Sequence, residues 1–503
     1  VVAPGTGDVL QLASAIGSLL SASSLSGSLQ ITTDSGSGQI PPAPGLTGSQ
    51  TATEIVLTGA GSFSSTIPAG YNTVVNLATT ASSLTGSNVD IIGGTVGSSY
   101  NVSGNSTVAA TGGNNTISAS GNYLLSTGPG NDSITASGSG TIATGSGNST
   151  IVASGTGNVI GTGTGNANIS LIASSSVIYS GSGQLTTNVT GSGDSVGLFT
   201  GSAAITLAGS SNTVFANSGP AIIDVTGSAA AIAGSTGPLS VLSTGSATSI
   251  FGGSGSLSAD LEGSAAVVGL GSGAANLTLS GAGAQVYGGS GSLAILANGG
   301  GSDTIGLSTG FASINASGST SLQVYGGSSP LDFVGGSGSS SVFGGAGSAS
   351  LFGGAGGSIT YVGEGSVSGS FLAGAGNETL NASGSYGAVV AQGSSIAGSA
   401  DSLVGGAGSD TLIAGIASTT LTGGGGANLF EFSKVLGGGS ATITDFNGND
   451  SVLLQGYGAS AAATALASAA TAAGNTTLTL SDNTKITFIN VTASSLTNHI
   501  TST

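Results

Sequence analysis

Cysteine, methionine, tryptophan and arginine are all absent from this chain. Without cysteine there is no disulfide framework and no thiolate metal site, so the fold must be held by strand ladders and a thin apolar core. Lys434 and Lys485 are the only lysines, against 19 Asp and Glu, for a formal charge of −17. Phosphate recognition needs Lys or Arg, which excludes nucleic acid and anionic lipid as partners. Charged residues make up 4% of the chain, where an ordinary domain has about 25%. No run of about eighteen apolar residues occurs, so no membrane span is expected.

What the chain has instead is glycine, 96 residues of it, in a fixed rhythm. Between Val324 and Leu372 the Gly-Gly pairs begin at Gly326, Gly335, Gly344 and Gly353, a step of nine each time. An apolar pair precedes each one: Val324-Tyr325, Phe333-Val334, Val342-Phe343 and Leu351-Phe352. Nine residues are too few for a helical repeat, but suit one short strand and a tight turn. Glycine supplies the positive φ that such turns use. Two such steps make a coil of about eighteen, and the expected fold is all-β, a parallel β-solenoid.

Residues 1–50 read as an entry segment. Asp8 caps a candidate short helix with Val9, Leu12, Ile16, Leu19 and Leu20 on one face, and QIPPAP (39–44) reads as a linker. Residues 51–100 read as irregular first coils, and 101–436 as the solenoid proper, where the steps Thr116 to Ser133 to Thr150 are seventeen each. The rhythm stops before residues 437–503, which read as a small α+β cap. There ATITDFNGNDSVLL (441–454) is strand, turn and strand, Ser460–Ala473 is a helix closed by Gly474, and 475–491 is a hairpin over Asp482-Asn483.

Three stretches carry a nonapeptide of the form G-G-x-G-x-D-x-U-x: Thr127–Thr135, Gly405–Ile413 and, with Asn leading, Asn298–Ile305. With GGGGANLFEF (423–432) they make the chain resemble the repeats-in-toxin superfamily of secreted bacterial proteins. The resemblance implies a parallel β-roll, calcium in the turns, and export by a type I system. In that family the sixth position holds a calcium-binding Asp, but the tight run has Leu331, Ser340, Ala349 and Ser358 there. Calcium takes six to eight oxygens, so the few candidates are Asp410 with Asn428 eighteen residues on, the loop of Asp445, Asn447 and Asp450, and the isolated Asp132 and Asp303. Alternatively these Asp residues accept turn N–H groups.

Strand alternation turns every second residue of the tight run outward. That places Tyr325, Phe343 and Tyr361 on one outer ladder, and Val334 and Phe352 on the opposite one, as candidate subunit contacts. Two alternatives stand beside this: a loop from 220–300 covers them, or the in/out assignment is reversed. Catalysis finds little footing. His499 reads as solvated, Asp260 and Glu262 form the only close acidic pair in the array, and no Lys or helix follows the Gly-x-Gly turns to hold phosphate. N-x-S/T triplets, as at Asn101, Asn148, Asn276 and Asn315, are acceptor sequences for glycans. No enzyme is expected.

The expected function is that of a secreted structural protein that assembles with itself into an extracellular filament, surface layer or biofilm matrix. The alternative is an adhesin, or a face that binds ice or cell-surface polysaccharide. Regular outward Thr ladders would favour that alternative, and none is legible in the sequence.

Overall fold

The structure is a computed structural model that describes residues 28–36, 38–319, 321–354, 358–363, 368–416, 418–437 and 439–503. The candidate helix over Asp8–Leu20 lies outside the described residues. The chain is an all-β parallel solenoid with a small helix-and-strand cap at its C-terminal end. Outside the cap, each strand pairs in parallel with the strand one coil on, so two ladders of short rungs run side by side. The chain divides into two compact units, one ending at Ser249 and one beginning at Ile250.

In the first unit the first strand among the described residues is Leu29–Asp34, inside the stretch read as an entry segment, and it pairs in register with Ala52–Leu57. QIPPAP is no free linker: Ile40 is buried and its N–H donates to Ser65 Oγ at 3.1 Å. Three strands of twelve residues follow: Ser99–Ala110, Thr116–Thr127 and Asp132–Ala143. Each is one bent rung that serves both ladders, and the bend falls on Gly104, Gly121 and Gly138, all with positive φ. Seventeen-residue coils result, as in Ile117, Ile134 and Ile151. Later coils have eighteen, and their bend sits at Gly157, Ser175, Gly193, Ser211, Ala229 and Ala247, all left-handed. Alanine and serine carry that conformation here because the flanking rungs over-determine it, at a cost of about 1 kcal/mol each.

In the second unit one ladder runs through Val267–Gly269, Gln285–Tyr287, Ser302–Gly306, Ser321–Tyr325 and Ser339–Phe343, and continues to Ser440–Ile443 and Lys485–Phe488. The other runs through Leu257–Leu261, Ala275–Leu279, Leu293–Ala297, Ala312–Asn315, Leu331–Val334 and Ala349–Phe352, and ends at Ile500–Ser502. Burial alternates along each rung, and the inward column Leu257, Ala275, Leu293, Ala312, Leu331, Ala349 alternates large with small. A bulky side chain on one rung thus fills the room left by alanine on the next, as dense packing requires.

The tight Gly-Gly turns do not use positive φ. A Cβ on Gly345 or Gly354 would overlap the carbonyl oxygen of Gly327 or Gly336 on the preceding coil, and none of these glycines is left-handed. Close approach of stacked coils, rather than turn conformation, is what demands glycine there.

The cap prolongs the ladders before it covers them. Ser440–Ile443 and Ser451–Gln455 are ordinary parallel rungs. The helix is shorter than expected, Ala461–Ala467. Ala470–Ala472 then turns through Ala473-Gly474, both left-handed, into Asn475–Thr479. Gly474 is therefore a hairpin residue and not a helix stop. Asn475–Thr479 pairs antiparallel with the last rung, Lys485–Phe488, and closes an edge that would otherwise recruit foreign strands. His499 is half-buried, not solvated: its ring meets Phe446 edge-on and Nδ1 lies 2.9 Å from the Asp450 carbonyl.

Candidate functional site

Strands leave a polar turn at the end of each rung, and buried turn N–H groups need acceptors. Asx and Ser side chains of the neighbouring coil, before or after, supply them. In the first unit Asn131 N–H donates to Asn114 Oδ1, Asn148 N–H to Asn131 Oδ1 and Asn166 N–H to Asn148 Oδ1, at 2.8, 3.0 and 3.1 Å. A second column runs from Ser176 N–H to Asp194 Oδ1 and from Asp194 N–H to Asn212 Oδ1, at 2.7 and 2.8 Å.

The candidate calcium residues belong to the same system. Asp410 and Asn428 do stack one coil apart, with Asp410 N–H donating to Asn428 Oδ1 at 3.0 Å. Both carboxylate oxygens of Asp410 are taken, by the N–H groups of Val389 and Gly406, each at 2.7 Å. Asp450 accepts from Asn428 N–H and from Asn447 N–H at 2.9 Å each. Asp445 does not join them; it accepts the N–H groups of Gly423 and Gly424. Asn447 Oδ1 accepts from Asn449 N–H. Asp132 accepts from Asn115 and Asp303 from Ala284, and each keeps one buried oxygen without a partner. Among the described residues no three acidic or histidine side chains converge on one point. The converging N–H donors make anion pockets that these carboxylates fill, and a lone spare oxygen is far from a shell of six. In this structure these residues latch coil to coil.

Burial has a cost for these acids. Desolvation pushes Glu378 up to about 7, opposed by the Ile359 N–H and reinforced by the charge of Asp401 on the next rung. Asp410, Asp401, Asp303 and Asp194 are raised as well, first by burial, with their N–H donors pulling the other way. A carboxyl whose folded pKa exceeds its unfolded one stabilises the fold fully below the unfolded value, and that contribution is lost as pH rises through the folded value. Thermal stability should therefore fall between about pH 5 and pH 8, opposite to ordinary acid denaturation. In Glu378→Gln the loss should shrink by about 1–3 kcal/mol. Melting curves across that range check it; a wild-type curve that rises with pH refutes it.

The outer faces hold most of the expected ladders. Tyr325 and Phe343 are adjacent in register and stacked, with centroids 5.0 Å apart and 11° between planes. Val334 and Phe352 pair on the other ladder, and Leu372 continues the column one rung further, all three exposed. No loop covers them from 250–300, whose residues are themselves rungs and their turns. Tyr361 is the exception. It is 7% exposed, because its rung partner is Val342 and not Phe343. Val342 to Tyr361 is nineteen residues, and one added residue turns every side chain of a rung to the other face.

One outward column escaped the sequence reading. Ser341, Thr360, Thr379, Ser402, Thr420 and Thr442 share one register position. Their spacings are 19, 19, 23, 18 and 22, so no period announces them. Only the pattern of Thr two residues from an outward neighbour, as in Thr420-Leu421-Thr422 and Thr442-Ile443-Thr444, hinted at it.

No known family model matches the chain, and no curated protein or solved structure is similar enough to be matched with it. Among the described residues no helix is long and apolar enough to cross a membrane.

Proposed function

We propose that the chain is a non-catalytic extracellular structural protein that assembles with copies of itself. The observation that carries this is the strip of Val334, Phe352 and Leu372, large apolar side chains exposed on three successive rungs of one ladder. A contiguous strip of this kind calls for a partner, and a second copy offers the same repeating surface. The composition suits a durable matrix: two lysines and no arginine leave almost nothing for trypsin-like proteases. Export by a type I system rests on the resemblance carried by Gly405–Ile413 and residues 423–432.

The test is the triple variant Val334→Ser, Phe352→Ser, Leu372→Ser. All three side chains point outward, so circular dichroism should be unchanged. Sedimentation and negative-stain microscopy should show filaments or sheets for the parent chain, and a critical concentration raised by roughly a hundredfold for the variant. Equal assembly by both chains would sink the proposal.

A further inference from the structure

The other ladder of the second unit carries a different outward pattern, with a period of two coils. Phe251, Gly269, Tyr287, Gly306 and Tyr325 occupy one register column. The three rings are 55%, 55% and 45% exposed. A Cβ on Gly269 would lie 3.4 Å from Phe251 Cδ1, so the ring leans along the sheet over the glycine. The fold does not require this spacing, since Tyr325 and Phe343 show that neighbouring rungs can both carry rings, stacked at 5.0 Å. Glycine on alternate rungs holds the rings apart instead. Rungs lie about 4.8 Å apart, so the ring-to-ring step is about 10 Å. In the first unit Tyr179, Gly197, Phe215 and Ala233 repeat the alternation.

Beside the rings, two residues earlier on the rungs from Tyr287 onward, runs Gln285, Thr304, Gln323 and Ser341, with Val267 before them on the Gly269 rung. Gln285 Oε1 accepts from the Tyr287 hydroxyl at 2.9 Å. The ring column and its neighbour contain no charged residue, and the chain as a whole, at −17, repels polyanions.

We propose that this face binds a neutral β-1,4-linked polysaccharide, one ring to each disaccharide. Successive sugars in such a chain are turned over relative to one another, so its true repeat is two residues long, which is about the same 10 Å as two rungs. Each ring takes the C–H face of one pyranose in every pair, as aromatic faces do with polarised C–H groups. The amide and hydroxyl column meets the sugar hydroxyls. An uncharged aromatic and amide face selects a neutral polymer over an acidic one. A polymer with a helical α-1,4 backbone does not present the repeat.

The test uses the full chain carrying Val334→Ser, Phe352→Ser and Leu372→Ser, so that self-assembly and sugar binding are read separately. Depletion from solution is measured on microcrystalline cellulose, β-chitin and insoluble starch. The expected result is depletion by cellulose or chitin and not by starch. Tyr287→Ala should weaken it by about tenfold, and Phe251→Ala with Tyr287→Ala and Tyr325→Ala should abolish it, with the melting temperature unchanged. Three results overturn the proposal: no depletion on either β-1,4 polymer, equal depletion on starch, or undiminished depletion by the triple ring variant. Ring removal that alters sedimentation without altering depletion assigns the face to a second copy, and ice shaping assigns it to ice; either outcome also overturns it.

Discussion

Gly183→Ala should be among the most damaging single substitutions in the first unit, at about 3 kcal/mol or more. Its added Cβ would overlap the carbonyl of Gly165 on the coil before, and Gly165 stands in the same relation to Gly147, as Gly201 does to Gly183. The obstacle is main chain, so no rotamer relieves it. A Cβ at Gly45 meets nothing within 4 Å, which makes Gly45→Ala the control. Because a solenoid rung contacts only its neighbours, the damage should be local. Hydrogen exchange should show faster exchange for amides of the rungs around Gly165, Gly183 and Gly201, with remote rungs unaffected. Equal protection in the two variants would falsify the close-approach account of the glycine columns.

Removing one latch should have a comparable effect in the second unit. Asp410→Ala strands the buried N–H groups of Val389 and Gly406, each at about 1–3 kcal/mol, for a loss of roughly 3–5 kcal/mol. Asp410→Asn keeps one acceptor oxygen and should fall between. The same variants decide the fate of calcium. If Asp410 serves N–H groups alone, a chelator leaves the melting temperature of the parent chain where it was. A chelator-induced drop that Asp410→Ala abolishes would return this residue to the calcium sites that its nonapeptide resembles.

These two results bear on how far residue order reaches. The Asp of Gly405–Ile413 sits where a calcium ligand sits in the repeat it resembles, and spacing alone correctly stacked it on Asn428. What spacing could not say is what fills the carboxylate, because that depends on which N–H groups the neighbouring coils turn toward it. The outer faces divide in the same way. Tyr325, Val334, Phe343 and Phe352 were readable from strand alternation, whereas Tyr361 moved indoors on one added residue. The hydroxyl column from Ser341 to Thr442 and the left-handed turns at Ala229 and Ala247 left no mark in the order of residues. The first is scattered by unequal coil lengths, and the second uses residues that signal no turn.

By itself, then, residue order determined that this chain winds into parallel rungs, which side of most rungs is apolar, and that it has almost no cations to offer a polyanion. Those properties follow from local rules: two-residue alternation, small residues at turns, and a missing set of cations. The folded molecule decided which side chains share a column across coils, which acids lose their water to backbone donors, and that the rings of Phe251, Tyr287 and Tyr325 stand two rungs apart. Such relations join residues a whole coil apart, and they are set by the register of one coil upon the next.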